Sequence, residues 1–168
     1  MNQKPEISSM LICANVFIRK DGKYLLMKRS VNKKYAPNKI HPFGGKMDKG
    51  ENPFVGAVRE VKEEVGVEIE NLKLEAMVLE LSPDKNLEAN WMVFYFSADY
   101  KSGEVIINEE GKAIYLTADE VKKADLFPSV KTIIDNILDV NDGVVFTTNS
   151  YEGFEIGMKE LSRNICTL

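Results

Sequence analysis

The sequence predicts a single α+β domain in which β-strands alternate with two or three helices. Its 168 residues, 44% of them hydrophobic, are enough to bury one core and match the usual size of one domain. Runs of β-branched, aromatic or alternating residues predict the strands, and helix-capping residues mark the first helix. No repeat and no Pro/Ser-rich linker divides the chain, so we expect residues 1–168 to form one domain.

Two antiparallel strand pairs are predicted before the C-terminal third of the chain. The first pair joins Ser8–Ile18 to Lys23–Arg29 through "DG", a dipeptide that favours a tight hairpin turn. The second pair consists of Asn71–Leu81 and Trp91–Tyr100, and the segment "SPDKN" between them favours a turn.

The remaining segments predict a short strand, two helices and a closing hairpin. The strand is "AIYL", the helices are "TADEVKKADL" and "PSVKTIIDNILD", and the hairpin is "GVVFTTNSYEGFEIGM". We expect the C-terminal helix and the hairpin to occupy residues 128–160.

The net charge, the two cysteines and the N-terminal apolar run argue against nucleic-acid binding, a disulfide or zinc framework, and membrane insertion. A net charge of -4 argues against a polymeric nucleic acid, which needs a concentrated basic face. Cys13 and Cys166 lack the number and spacing of a disulfide framework or a zinc site, so we expect two buried free thiols in a reducing compartment. The apolar run near the N-terminus is too short for a signal peptide or a membrane span. We therefore expect a cytoplasmic protein without a membrane partner.

The segment "GENPFVGAVREVKEEVGV" predicts a helix with clear signals at both ends. Asn52 before Pro53 is typical of an N-cap followed by a first-turn proline. Gly66 is placed to end the helix in a left-handed conformation. The predicted helix spans Pro53–Val65.

This helix concentrates carboxylates away from its apolar side. Glu60, Glu63 and Glu64 gather opposite the expected core residues when the segment is projected on a helix. The expected core residues are Phe54, Val58, Val61 and Val65. Gly56 and Ala57, one turn earlier on the acidic side, have small side chains and leave space beside the carboxylates. Because neighbouring like charges destabilise a helix, we expect a divalent cation to bind there.

The same segment is similar to the signature of the Nudix hydrolases. The residues that fill the fixed positions of the signature in register are Gly45, Glu51, Arg59, Glu60, Val61, Glu63, Glu64, Gly66 and Val67. The resemblance implies an α/β/α sandwich whose mixed β-sheet carries the signature as a loop-helix-loop unit. It also implies an enzyme that hydrolyses the diphosphate linkage of a nucleoside diphosphate joined to a further group.

The resemblance further implies a metal cofactor, and the residue types agree with it. Clustered carboxylate oxygens are ligands that Mg²⁺ or Mn²⁺ prefers. Glu63 and Glu64 match the metal-binding pair of the signature. Glu60 matches the acid that binds metal or takes a proton from the attacking water. The carbonyl of Gly44 or Gly45 is expected to add a backbone ligand.

Residues around the helix complete the implied catalytic set. Arg59 and Glu51 match the pair that fixes the signature loop against the helix. We assign Arg59 to the catalytic residues and Glu51 to a supporting structural role. Members of the family often supply one more catalytic carboxylate from outside the signature. Glu110 is the first candidate and Glu109 the second, because "INEEGKAIYL" precedes a strand and a helix start in the same order.

Candidates for substrate binding lie on both sides of the signature. Lys46 and Arg29 are candidates for phosphate contacts, and Phe127 is a candidate for stacking on a base. His41 and Phe43, in "HPFGGK", are candidates for the lining of the substrate pocket.

The layout resembles the compact, MutT-like nucleoside triphosphate diphosphatases, typified by the 8-oxo-dGTP diphosphatases. Phe127 and Pro128 match the Trp-Pro pair of those enzymes. Ser129 and Val130 replace the two aspartates that read the oxidised purine there, and His41 replaces an Asn of the base pocket. We therefore expect an intact or oxidised nucleoside triphosphate as substrate, hydrolysed to monophosphate and pyrophosphate, and assign no specificity for 8-oxoguanine.

Other functions stay open. Pro83 lies at the distance past Val67 where ADP-ribose-cleaving relatives tend to carry a proline, which favours an ADP-ribose or sugar-nucleotide diphosphatase, although a turn also explains a proline in "SPDKN". A catalytically silent nucleotide-sensing module is less favoured because every signature acid is present. An isopentenyl diphosphate isomerase is disfavoured by the lack of a Cys near "HPFGGK". We expect a small-molecule nucleotide partner and a monomer or homodimer.

Overall fold

A mixed β-sheet with helices on both faces forms the described part of the chain. The computed structural model describes residues 9–81, 83, 89–106, 109, 111–139, 143–151 and 158–167. The strands are β1 (Ser9–Lys20), β2 (Lys23–Arg29), β3 (Ile40–His41), β4 (Phe43–Lys46), β5 (Glu68–Leu81), β6 (Ala89–Ser102), β7 (Gly111–Leu116), β8 (Gly143–Tyr151) and β9 (Met158–Thr167). The helices are α1 (Pro53–Val65), α2 (Ala118–Lys123) and α3 (Pro128–Leu138). Within these residues, no helix is long and apolar enough to cross a membrane.

The strands of the described residues join in one sheet of mixed direction. Its main order is β3-β2-β1-β6-β5-β8-β9, while β4 pairs with β1 and β7 pairs with β2. The β1–β6 and β5–β8 pairs are parallel, and the other pairs are antiparallel. This arrangement confirms the predicted mixed sheet and α+β sandwich.

Both predicted strand pairs form. Lys20 pairs with Lys23 across the first turn, where Asp21 and Gly22 have φ values of 50° and 74°, as a tight hairpin turn of this hand requires. β5 and β6 are antiparallel, as predicted. Most of the predicted turn in "SPDKN" lies outside the described residues.

The C-terminal hairpin is longer than predicted. β9 pairs with β8 along its whole length and ends at Thr167, beyond the expected end at residue 160. Most side chains of β9 are exposed, so its sequence carries little of the apolar alternation from which a strand end is predicted. Backbone hydrogen bonds to β8 define the strand instead.

Each face of the sheet buries a separate apolar cluster. α1 covers one face, where its buried residues Ala57, Val61 and Val65 pack against β1 and β6 side chains such as Val16 and Phe96. α2 and α3 cover the other face with a second cluster, which includes Val121, Val130, Ile133 and Ile137. The two clusters fix both helix layers against the sheet.

The signals at the ends of α1 behave as predicted. The Asn52 side chain accepts a hydrogen bond from the Phe54 amide at 2.9 Å, and Pro53 occupies the first turn. Gly66 ends the helix with φ 77°, and its amide donates to the Lys62 carbonyl.

The buried face of α1 differs from the predicted one. Phe54 and Val58 are 47% and 44% exposed, although the Phe54 ring still packs edge-on against Phe96. Gly56 and Ala57 are buried and leave no open space. Small side chains at these two positions let the helix approach its neighbours closely, which turns its buried stripe away from Val58.

The two cysteines are free thiols in different environments. Cys13 is buried on β1, as expected, whereas Cys166 is exposed on β9. The expectation that both would be buried was wrong for Cys166 because β9 lies at the end of the sheet order and is mostly exposed.

Candidate active site

The backbone of β4 lies directly against the acidic side of α1. β4 pairs with β1, so Gly44 stands opposite Asn15 and Gly45 opposite Ala14. Gly44 has φ 146°, and a methyl group there would overlap the Ala14 carbonyl. A methyl group on Gly45 would overlap the Glu60 carboxylate. Both glycines are therefore required for this close approach.

Arg59 binds several carboxylates of the signature. Its Nε and Nη2 donate to the two oxygens of Glu51 at 2.9 and 2.7 Å, a bidentate pair. Its Nη1 donates to Glu60 Oε1 and Glu63 Oε2, both at 2.9 Å. Its Nη2 also lies 3.3 Å from the Lys46 carbonyl. One guanidinium thus joins the loop before α1, the end of β4 and the acidic side of the helix.

Hydrogen bonds stabilise the ionised form of the loop residue Glu51. Hydrogen bonds from Arg59, followed by one from the Asp48 amide at 3.0 Å, lower the pKa of Glu51 to about 2. The same contacts raise the pKa of Arg59 above its ordinary value. Glu51 therefore stays ionised and holds Arg59 in place.

Glu64 makes a separate contact with β4. Its Oε2 accepts a hydrogen bond from the Gly44 amide at 2.9 Å. Together with Glu60 beside Gly45, this bond places two helix carboxylates along one strand edge. Glu63, with 60% of its side chain exposed, lies on the solvent side of them.

The donor set of this region fits a hard divalent cation. In the described part of the chain, no group of three or more His, Cys, Asp or Glu side chains is arranged around one point, since Glu60 and Glu63 turn to Arg59 and Glu64 to Gly44. The available atoms are carboxylate and carbonyl oxygens, which Mg²⁺ and Mn²⁺ prefer. The Glu60 carboxylate also lies in a cradle that a Cβ on Gly45 would fill.

A cavity of about 190 Å³ opens on the other side of β4, beside Phe127, the residue that precedes α3. Its sheet wall comes from β1, β4, β5 and β6, and its opposite wall from Arg29, Tyr35, His41 and Phe127. The sheet residues that line it are Cys13, Asn15, Gly44, Gly45, Lys46, Glu80, Trp91, Val93 and Tyr95. Gly44, Gly45 and Lys46 thus belong both to the cavity and to the strand beside the carboxylates.

The aromatic wall is held by backbone contacts between distant segments. The Phe127 amide donates to the Ile40 carbonyl at 2.9 Å, which brings His41 and Phe127 together at 5.0 Å between ring centroids. The Arg29 guanidinium lies 5.5 Å from the Phe127 ring and donates to the carbonyls of Tyr35 and Ala36. Arg29 therefore fixes the loop that carries Tyr35.

His41 is a neutral hydrogen-bonding group. Burial and then the charge of Arg29 lower its pKa to about 3. Its Nδ1 lies 2.7 Å from the Pro42 carbonyl, which can only accept, so Nδ1 carries the proton. The other ring nitrogen, Nε2, is left as an acceptor.

Comparison with known proteins identifies the family. The NUDIX domain model matches residues 11–137. The chain belongs to the Nudix family. It is 29% identical over 140 residues to an uncharacterized Nudix hydrolase, YvcI, of Bacillus subtilis (strain 168), covering 82% of this chain and 84% of that protein.

Solved structures extend the comparison to the whole fold. The crystal structure of a mutator MutT protein from Bacillus halodurans matches with a TM-score of 0.76 and 25% identity, over 92% of this chain and 97% of that one. An ADP-ribose pyrophosphatase from Streptococcus suis 89-1591 matches with a TM-score of 0.58 and 19% identity, over 77% of this chain and 90% of that one. The second likeness shows the fold alone. The predicted Nudix fold and the assignment as a Nudix hydrolase are thereby confirmed.

The structure brings most of the predicted substrate-binding residues of this Nudix hydrolase together. Arg29, His41, Lys46 and Phe127 all line the cavity. Phe43 does not: it is 3% exposed and packs in the cluster under α1. Its assignment to the substrate pocket was wrong because it lies on the α1 side of β4.

The predicted extra carboxylates cannot both be placed. Glu110 lies outside the described residues. Glu109, the second candidate, lines a separate depression with Lys28 and Arg29. The two spaces share Arg29, but Glu109 does not itself line the cavity.

Glu80, Trp91 and Tyr95 line the cavity of the Nudix domain but were not predicted. Glu80 alternates with apolar neighbours in β5, a pattern typical of a solvent-facing position. Trp91 and Tyr95 lie in a run of strand-forming residues without any further signal. The three side chains line a cavity because Arg29, Tyr35, His41 and Phe127, from segments distant in sequence, form its other wall.

The pairing of Glu51 with Arg59 should appear in the pH dependence of stability. Because the pKa of Glu51 is lowered from 4.5 to about 2, its contribution is present above pH 4.5 and is lost as the pH falls toward 2. Denaturant unfolding of the protein and of Glu51→Gln should therefore show a stability difference that shrinks over this range. Glu70→Gln, which removes an exposed carboxylate on β5, is the matched control variant. An equal difference between protein and Glu51→Gln at pH 6 and pH 2.5 would contradict the pairing.

Proposed function

We propose that this Nudix hydrolase binds an intact or oxidised nucleoside triphosphate with its base in the cavity and its phosphates between Lys46 and α1. Water then cleaves the diphosphate linkage to give monophosphate and pyrophosphate. The observation that supports the proposal is the double position of Gly44, Gly45 and Lys46, which line the cavity and lie beside the acidic side of α1. A ligand that extends from the cavity along β4 reaches the carboxylates.

The size and lining of the cavity suit one base. Pockets that enclose whole drug-sized ligands measure about 300–1,000 Å³. At 190 Å³, this cavity suits a part of a nucleotide, such as its base, with the charged groups outside. Phe127, Trp91 and Tyr35 provide aromatic surfaces, on which bases stack.

The carboxylates of α1 support a dependence on Mg²⁺ or Mn²⁺. Glu63 and Glu64, with a carbonyl of Gly44 or Gly45, would hold the ion, and Glu60 would be a further ligand if Glu110 is the base. When bound, such an ion offsets the charge of the diphosphate, orients it and lowers the pKa of water. Hydrogen bonds from Arg59 and from the Gly44 amide keep the carboxylates near β4.

The side chains have distinct roles in this proposal. Glu60, in contact with Gly45 and Arg59, takes the proton of the attacking water, and Glu110 is the other candidate for this role. Arg59 positions Glu60 and, with Glu51, the loop. Lys46 and Arg29 carry the positive charge that binds the substrate phosphates.

A diphosphatase of ADP-ribose or a sugar nucleotide is the second candidate. The observation that favours it is the depression of about 810 Å³ beside the cavity, lined by Lys28, Arg29, Ser30 and Lys112 among others. This space, which shares Arg29 with the cavity, is large enough for a bulky group beyond the diphosphate. Structural neighbours with matching folds include a protein named ADP-ribose pyrophosphatase and one named UDP-X diphosphatase.

We also propose a cytoplasmic location, which the two free thiols support. Cys166 is exposed, and an exposed free thiol persists most readily in a reducing compartment.

A substrate panel distinguishes the two candidates. We expect metal-dependent turnover to concentrate on nucleoside triphosphates, with monophosphate and pyrophosphate as products. The panel contains standard and oxidised nucleoside triphosphates, ADP-ribose, sugar nucleotides and dinucleoside polyphosphates, each with Mg²⁺ and with chelator. Coupled pyrophosphatase or phosphatase detects the products. Turnover confined to ADP-ribose or sugar nucleotides would replace the first candidate by the second, and no turnover by folded protein would contradict both.

Substitution of Glu60 tests the proposed proton acceptor. Glu60→Gln should lower kcat by about 10²- to 10⁴-fold while the protein stays folded, as expected for loss of a general base. Glu110→Gln tests the other candidate, and Glu70→Gln on β5 is the control carboxylate. Steady-state kinetics with circular dichroism measure both effects. If Glu60→Gln and Glu110→Gln each kept near-wild-type kcat, neither residue would be the base.

A further inference from the structure

One buried carboxyl group in the cavity has no role in the chemistry proposed above. Glu80 lies on β5, is 2% exposed and lines the cavity on its sheet wall. It stands opposite Trp91 on β6 and beside Asn149 on β8. A carboxyl group removed from water is costly to keep without polar partners, so its position calls for a ligand or a structural explanation.

Polar side chains surround Glu80 on the sheet wall of the cavity. Its side chain interacts with the hydroxyls of Ser129 on α3 and Tyr151 on β8. The Ser129 hydroxyl lies 3.0 Å from the Tyr95 hydroxyl, which extends the polar group across β6. Among the described residues, the buried indole nitrogen of Trp91 has no hydrogen-bond partner. The sheet wall of the cavity therefore carries hydrogen-bonding groups beside Glu80.

Glu80 changes its charge near neutral pH. Burial raises its pKa from 4.5 to about 7, against the smaller opposing effects of the Ser129 and Tyr151 hydrogen bonds. The titratable groups that interact with it from the neighbouring strands are Cys13, Tyr95 and Tyr151. Burial raises the pKa of each of these, that of Cys13 to about 12, so they remain neutral while Glu80 titrates.

The charged and titratable groups on the other walls of the cavity are not the cause of the raised pKa of Glu80. Arg29 and Lys46 line the cavity as cations, and His41 stays neutral because its pKa is lowered to about 3. None of the three is among the causes that shift the pKa of Glu80. The change in charge at the sheet wall of the cavity near neutrality is therefore that of Glu80.

The two forms of Glu80 match different base edges. A neutral carboxyl group has one donor beside one acceptor, whereas a carboxylate has acceptors only. The neutral form complements the N1–H and O6 edge of guanine or hypoxanthine and the N6–H and N1 edge of adenine. The ionised form complements two adjacent donors, which guanine presents at N1–H and its 2-amino group and the other two bases do not.

We propose that Glu80 is a specificity-determining residue that hydrogen-bonds the polar edge of a purine base and changes the preferred purine with its own charge. The inference rests on the proposed function, because it places the base of the nucleotide in the cavity. Guanine nucleotides are the preferred class when Glu80 is ionised. Guanine, hypoxanthine and adenine nucleotides are accepted more equally when it is neutral.

The test compares GTP with ITP, which differ only in the 2-amino group of the base. A titration that affects catalysis equally for both substrates changes both kcat/KM values by the same factor. The ratio of the two values is therefore unaffected by it. In the wild-type protein this ratio should rise about tenfold between pH 6 and pH 8, the scale of one well-formed bidentate base contact. In Glu80→Gln, whose amide resembles the neutral acid, the ratio should not change with pH. ATP serves as a second comparison. The ratio of the kcat/KM values for GTP and ATP should rise with pH in the same way as the ratio for GTP and ITP.

A matched control lies on the same strand. Glu75 is also a buried carboxylate of β5, 5% exposed, but it accepts from Ser97 at 2.6 Å and does not line the cavity. Glu75→Gln should keep the wild-type dependence of the ratio on pH. A flat ratio in the wild-type protein, or an unchanged rise in Glu80→Gln, would overturn the proposal. The wild-type profile alone decides the matter if Glu80→Gln does not fold.

Failure of the proposed function gives a different result. If the wild-type protein hydrolyses no nucleoside triphosphate, the function proposed above is wrong. The role of Glu80 is then tested by calorimetric binding of GMP and IMP in chelator at pH 6 and pH 8. A dissociation-constant ratio that shifts with pH about tenfold in the wild-type protein and not in Glu80→Gln would support it, and an unchanged ratio would overturn it.

Discussion

A single guanidinium balances the negative charge on one side of α1, and the geometry of the site depends on it. Like charges at neighbouring helix positions cost a few tenths of a kcal/mol per pair. Arg59 offsets this cost by binding Glu51 through two hydrogen bonds and Glu60 and Glu63 through one nitrogen. Because its planar fork also reaches the Lys46 carbonyl, the helix, the loop and β4 are held in one arrangement.

The second constraint is the close approach of β4 to both of its neighbours. Gly44 has no room for a side chain beside β1, and Gly45 has none beside Glu60. The strand can therefore present bare backbone to the carboxylates on one side while Lys46 and the same glycines line the cavity on the other. The proposed placement of phosphates beside α1 and of a base over the sheet follows from this one strand.

The sequence predicted features that depend on residues close together in the chain. It did not predict burial that depends on contacts between distant segments. Asn52 and Gly66 define the ends of α1 through contacts with residues in their own helix, so the sequence predicted both. Phe43 and Val58 were misplaced because the close packing of β4 and α1 decides which faces are buried. Glu80 was missed because its burial and its contact with Ser129 on α3 join segments that are distant in sequence. The acids of the signature were predicted as a group because their spacing is local, but their contacts with Arg59 and Gly44 required the fold.

Paramagnetic broadening by Mn²⁺ tests the central claim, that the α1 carboxylates and the β4 glycines form one cation site. Substoichiometric Mn²⁺ is added to ¹⁵N-labelled protein, and amide signals are followed by NMR. We expect the amides of Gly44, Gly45, Glu60 and Glu64 to broaden first, and Glu64→Gln to need more Mn²⁺ for the same effect. Broadening that begins at Glu109 and the depression beside it, with the β4 glycines unaffected, would contradict the claim.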